Sequence, residues 1–95
     1  MARFSKQQIK QQIAEHYPAC PEFAIDRVTE LVLARDWWDL SALGAVTMVI
    51  QSVLRHNMTE YERLLHDGVA RDEARRRVQW KVDRMISEWM KRPTE

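Results

Sequence analysis

His56, Thr59, Tyr61 and Glu62 lie within seven residues, and Arg71 and Arg75 follow one helical turn apart. If a helix ends at His56, its C-terminal dipole favours a protonated imidazole there. With Arg71 and Arg75 folded back onto it, His56 makes a pocket for an anion or a phosphate. With Glu62 beside it, the same imidazole makes an acid–base pair. On a helix, Arg71 and Arg75 fall within about 60° of Val78, on the flank of the apolar face. An arginine turned toward a core ordinarily satisfies carboxylates or the carbonyls that end another helix. Buried charges are paired, and pairing alone accounts for this pattern. The favoured reading is therefore a structural hydrogen-bond knot joining three helices, with the anion pocket and the acid–base site as functional alternatives.

A second constellation lies further on. Residues 71 to 92 carry eight basic side chains against four carboxylates, a local charge of +4 in a chain whose total is +1. Trp80 stands about 160° from Val78 at helical spacing and shares the outer side with Arg76 and Arg84, its i−4 and i+4 neighbours. An outward tryptophan among Arg76, Arg77, Lys81 and Arg84 suits a nucleic-acid platform, with phosphates neutralised and a base stacked on the indole. Guanidinium–indole contacts from Arg76 and Arg84 are within reach. The blander readings are strong. Glu73–Arg77 and Arg84–Glu88 are i, i+4 pairs that compensate part of the charge. Trp80 can also pack under the first helix, against a second subunit, or against another protein. The adjacent Trp37 and Trp38 offer a further contact point, because neighbouring tryptophans cannot face the same way on a helix. The turn at Gly68 does not make a helix-turn-helix motif: Arg63 and Asp67 stand where that motif needs apolar packing, and Leu64 where it needs a small residue.

Metal and nucleophile chemistry find less support. His16 and Cys20 are four residues apart, but Pro18 between them prevents a common helical face. His66 and Glu62 have helical ligand spacing, and two ligands do not make a zinc site. Cys20, flanked by prolines on both sides of a short connector, suits a small packed residue. There is no Gly-rich phosphate loop, serine elbow or paired-carboxylate motif. The sequence therefore predicts no enzyme, no metal, no cofactor and no small-molecule substrate.

The elements that must position these groups are helices. Two Gly and three Pro in 95 residues leave few breakers, and Ala, Leu, Arg, Glu and Gln favour helix throughout. Leu43, Val46, Thr47, Ile50, Val53 and Leu54 form one apolar stripe, and the opposite side carries Ala45, Met48, Val49 and Ser52. A helix apolar on most of its circumference needs cover on most sides, so residues 41–56 form the buried centre of an all-α bundle of about five helices. Asp39 or Ser41 caps it, and Gly44 inside it marks close approach of a neighbouring helix.

Upstream, Ser5 and Gln8 form a capping box, and a helix carrying Ile9, Ile13 and Tyr17 ends before Pro18. A second helix starts at Pro21, turns Phe23, Ile25, Val28, Leu31 and Val32 inward, and fades at Arg35-Asp36. Downstream, Thr59 and Glu62 make a second capping box, opening a short helix that buries Tyr61, Leu64 and Leu65 and stops at Gly68 in the left-handed C′ position. The last helix runs from about Ala70 to Lys91, before Pro93, with Ala74, Val78, Val82, Met85 and Trp89 on its core face. The whole chain, 1–95, reads as one domain.

The single cysteine cannot form an internal disulfide and fits a reducing compartment. The first residues have no apolar run long enough for a secretory segment, and Ala42 to Ile50 is too short to span a bilayer. The expectation is a soluble cytoplasmic domain.

The segment His56 to Val78 also resembles domain-of-unknown-function family 2293, found in fungi and bacteria. Its pattern is a hydrophobic helix ending in Arg-His, then H-x-x-T-x-Y-D-x-L-L, a glycine, and R-x-x-A-R-x-x-V. Here Arg55-His56 end the helix, and Thr59, Tyr61, Leu64, Leu65, Gly68, Arg71, Ala74, Arg75 and Val78 fill the matching positions. Glu62 replaces the usual Asp and keeps its charge; the Trp37-Trp38 joint has no counterpart in the pattern. The resemblance implies a helical domain with a shared polar corner, and it implies no activity. Together with the residues, it points to a small non-catalytic binding module. Protein interaction or self-association through the last helix is the leading expectation, and nucleic-acid binding through Arg76, Arg77, Trp80, Lys81 and Arg84 the alternative.

Overall fold

The structure, a computed structural model, describes residues 4–92. Five helices follow one another: α1 (Lys6–His16), α2 (Glu22–Leu33), α3 (Ala42–Met58), α4 (Tyr61–His66) and α5 (Arg71–Met90). Pro93, the expected stop signal, lies outside the described residues.

Each boundary has a local cause. The Ser5 hydroxyl accepts from the Gln8 N–H, and the Gln8 side chain accepts from the Ser5 N–H, so the first capping box is complete. Ser41, rather than Asp39, caps α3 by accepting from the Gly44 N–H at 3.1 Å. At the end of α4 the Gly68 N–H reaches Leu65 O and the Val69 N–H reaches Leu64 O. That is a Schellman closure, and the φ of +91° at Gly68 is the left-handed backbone it requires.

α3 lies at the centre, packed against α1, α2 and α5 and touching α4. Ala45, Val46, Val49, Ile50, Val53 and Leu54 are all buried along it. Around them close Ile9 and Ile13 from α1, Val28 and Val32 from α2, and Val82 from α5. Truncating a fully enclosed residue such as Ile50 to alanine costs about 2–5 kcal/mol. A smaller cluster of Tyr61, Ala74 and Val78 joins α4 to α5, with Leu64, Leu65 and Val69 at its edge. The end of α5 is tied to the first connector and to α1: the Ala19 N–H donates to Trp89 O at 2.9 Å, and the Arg92 guanidinium donates to Glu15 O at 3.5 Å.

Three local expectations are corrected. Gly44 does not meet another helix; a Cβ there would meet Leu40 and Ser41, just ahead of α3's own first turn. Phe23 points outward and is 63% exposed, because the inner side of the first turn of α2 is taken by Ala24. The Thr59–Glu62 capping box is absent. Thr59 ends α3 in an extended conformation, and Glu62 turns to His56 instead. Among the described residues no helix is long and apolar enough to cross a membrane.

Candidate functional site

The polar corner at the end of α3 is built around Thr59. Its hydroxyl donates to Arg55 O at 2.5 Å and accepts from the Tyr61 N–H at 3.2 Å. One side chain thus closes a terminal carbonyl of α3 and a leading N–H of α4. Tyr61, buried, meets His56 edge-on with ring centroids 5.0 Å apart, and His56 Nδ1 lies 3.1 Å from Glu62 Oε1. His56 and Glu62 are both exposed, so this pair is a solvated tie rather than a buried charge.

The corner does not recruit the arginines expected of it. Among the described residues neither Arg71 nor Arg75 makes a hydrogen bond or ion pair, with His56 or with any carboxylate. The proposed pocket of His56, Arg71 and Arg75 is therefore not assembled. Tyr61, Leu64 and Leu65 pack against α5 through Ala74 and Val78, while His56 lines a hollow with Arg27, Asn57 and Glu62 that includes neither arginine. Lys81 makes the tie from α5 that Arg71 and Arg75 were expected to make. Its ammonium lies 2.9 Å from Glu60 Oε1, at the α3–α4 junction. The hydrogen bond from Lys81 is the main cause holding the Glu60 carboxyl below the usual carboxylate range.

Arg75 instead lines a hollow of about 600 Å³ between α2, α3 and α5. Thr47, Met48, Gln51, Ser52 and Arg55 of α3 form its floor; Arg35 and Trp37 wall it from the end of α2, and Arg75 from α5. Arg35 stacks over the Trp37 ring at 4.4 Å, while Trp37 is buried and donates Nε1–H to Val32 O at 2.9 Å. Arg55 lies 5.6 Å over Tyr61, and its buried Nε–H has no hydrogen-bond acceptor among the described residues. Desolvation, and then the nearby positive charge of Arg75, push the Arg55 guanidinium below the ordinary arginine range. Arg35 and Arg55 were not singled out as site residues from the sequence. The available signal was the stripe Met48, Gln51, Ser52, Arg55, a weakly apolar i, i+3, i+4, i+7 series on an otherwise oily helix.

The outer face of α5 is as expected in outline. Trp80 points away from the core and is 58% exposed, so it packs under neither α1 nor any other helix of the chain. The cations around it are largely engaged. Arg76 and Arg77 both pair with Glu73, and Lys81 sits 5.6 Å from the Trp80 ring while bound to Glu60. It is Lys81, not Arg76 or Arg84, that lies over the indole. The Arg84–Glu88 pair does not form; Glu88 holds Lys91 at 3.0 Å, and Arg84 has no ion pair among the described residues. At the α2–α3 joint the tryptophans divide, Trp37 buried and Trp38 69% exposed.

The remaining reactive groups stand apart. Cys20 is buried, and burial pushes its thiol up to about 11. Among the described residues no three His, Cys, Asp or Glu side chains are grouped to hold a metal ion.

A family model described as an uncharacterized conserved protein, DUF2293, matches residues 12–90. The chain belongs to the DUF2293 family. The match extends well beyond the His56–Val78 pattern, taking in α2, all of α3 and the whole of α5. The DUF2293 domain of this chain therefore includes both the corner and the arginine-lined hollow. No curated protein and no solved structure matches the chain.

Proposed function

We propose that this DUF2293 domain is a non-catalytic interaction module that docks a protein surface, a second copy of the chain included, on the outer face of α5. The observation that carries this reading is Trp80, a large indole more than half exposed on a helix whose opposite side fills the core. Buried aromatic anchors surrounded by polar side chains dominate the energetics of protein interfaces. The polar rim is present as Glu73, paired with both Arg76 and Arg77, and Asp83, which accepts from Gln79. The free, buried Cys20 suits a reducing compartment, and a cytoplasmic location is part of this proposal.

A nucleic-acid reading draws on the same indole and on Arg84, which has no ion pair among the described residues. Against it, Arg76, Arg77 and Lys81 hold carboxylates that a phosphate backbone would have to displace. Counterion release needs cations available to phosphate.

Sedimentation velocity over a concentration series tests the proposal directly. Concentration-dependent dimerisation that Trp80→Glu abolishes supports it. A chain that stays monomeric, and whose oligonucleotide affinity falls steeply between about 50 and 200 mM salt, favours the nucleic-acid alternative.

A further inference from the structure

We propose that the hollow between α2, α3 and α5 is a binding site for a phosphate monoester carried on an apolar body, held by Arg35, Arg55 and Arg75. This inference is independent of the Trp80 surface, which lies on the opposite side of α5 from the core.

Three observations converge. The first is charge: three guanidiniums line one hollow, no carboxylate lines it, and none of the three has an ion pair among the described residues. Arg63, Arg71 and Arg84 also lack an ion pair among the described residues, but they do not line this hollow. Arg27, Arg76 and Arg77 each hold a glutamate. Like charges gathered without a counter-charge repel one another, and a dianion between them turns that repulsion into attraction. The guanidinium fork matches the spacing of phosphate oxygens, so two or three forks can be satisfied by one group.

The second is the Arg55 Nε–H, a buried donor without an acceptor. Native folds rarely retain such a group, and where they do it calls for a specific explanation. Arg55 also lines the hollow, so an anion there meets the same guanidinium and supplies the counter-charge it lacks. The third is the rest of the lining. Leu31, Trp37, Met48 and Val49 give the site an apolar half, whereas Ser52 adds a hydroxyl. A volume of about 600 Å³ falls within the range of small-ligand pockets, generally about 300–1,000 Å³. An inorganic anion alone would leave this apolar half uncovered. An aryl or alkyl phosphate fills both halves.

The fold explains why the site is there. On α3, Met48 is exposed and Gln51, Ser52 and Arg55 are half-buried, so this stripe is less covered than the buried face of Ala45, Val46, Val49, Ile50, Val53 and Leu54. The ends of α2 and α5 flank the hollow and each places one arginine at its rim.

The test is a titration of the full ¹⁵N-labelled chain with phenyl phosphate, followed through backbone amides, arginine Nε–H and tryptophan indole signals. Inorganic phosphate and benzyl alcohol serve as the head-only and body-only probes. The expected result is saturable binding of phenyl phosphate, tighter than either fragment, with shifts at Trp37, Ser52, Arg55 and Arg75. Arg75→Gln, an exposed position that the fold tolerates, weakens it about tenfold or more, the scale of one charge-assisted contact. Arg84→Gln on the outer face leaves it unchanged, and Arg55→Gln repeats the loss where that variant folds. Co-sedimentation with phosphatidic acid in phosphatidylcholine vesicles, against phosphatidylcholine alone, tells a lipid headgroup from a soluble ester as the source. Shifts centred on Trp80 and Arg84, an affinity unaltered by Arg75→Gln, or no saturation with phenyl phosphate would overturn the proposal.

Discussion

Replacing Thr59 by valine removes one hydroxyl and almost nothing else, which makes it the sharpest probe of the corner. Thr59 lies in extended backbone, φ −136° and ψ 174°, a region that β-branched valine adopts readily, so no conformational penalty accompanies the change. What disappears is the bridge from Arg55 O at 2.5 Å to the Tyr61 N–H at 3.2 Å. Each such bond contributes about 0.5–1.5 kcal/mol net, and the site is only partly buried, so water recovers some of the loss. The expected cost is about 1–2 kcal/mol. In a domain of this size that lowers the melting temperature by roughly 4–16 °C, at about 4–8 °C per kcal/mol. Thr59→Ser keeps the hydroxyl and should stay within about 0.5 kcal/mol of the parent. Glu62→Gln should do likewise, because Glu62 serves an exposed contact with His56 and no capping box. Urea unfolding followed by helical circular dichroism reads all three, as a change in midpoint at constant slope. A serine variant as damaged as the valine one, or a Glu62→Gln variant costing as much as Thr59→Val, would refute the bridge as the element that joins α3 to α4.

The two glycines should respond with opposite signs. Gly68→Ala meets no atom within 4 Å but is forced to φ +91°, and thermal melts should show a loss of about 1–2 kcal/mol. Gly44→Ala gains about 0.8–1 kcal/mol of helix propensity, partly offset by moving Leu40 Cδ2 from 3.3 Å, and should be stabilising by about 0.5 kcal/mol. Cys20 should react slowly with thiol reagents in the folded chain at pH 8 and fully in urea. Its folded thiol titrates at about 11, above its unfolded value. Its contribution is therefore complete below about pH 8.5 and is lost as pH rises toward 11; comparison with Cys20→Ala isolates that slope. Glu60 carries the opposite sign. Its carboxyl is held low chiefly by the Lys81 hydrogen bond, so the stability it adds is present above the usual carboxylate range and lost as acid protonates it. Glu60→Gln should flatten that part of the acid limb in a series of urea melts.

The sequence alone determined most of the helices and the identity of the buried rod. Helical periodicity and capping are short-range properties: an apolar residue at every third or fourth position needs a neighbour, whichever neighbour it is. The Ser5–Gln8 box, the Gly68 closure, the burial of Ala74, Val78 and Val82, and the split between Trp37 and Trp38 all follow from that local grammar. The same grammar suggested a box at Thr59 and Glu62, where the structure shows its limit. Glu62 has two partners in reach, and the approach of α3 gives it to His56.

Which long side chains meet across helices was beyond the sequence. Arg71 and Arg75 sit on the flank of α5's apolar face, and a flank can serve either side of the helix it packs on. Tertiary packing chose the side toward Arg55 for Arg75 and gave Lys81 rather than an arginine to Glu60. The hollow on α3 exists for the same reason: four helices around a fifth leave a gap wherever their ends fall short, and where they fall short depends on crossing angles. Periodicity fixes what a helix must bury. Only the assembled bundle fixes what it leaves open, and here that opening collects Arg35, Arg55 and Arg75.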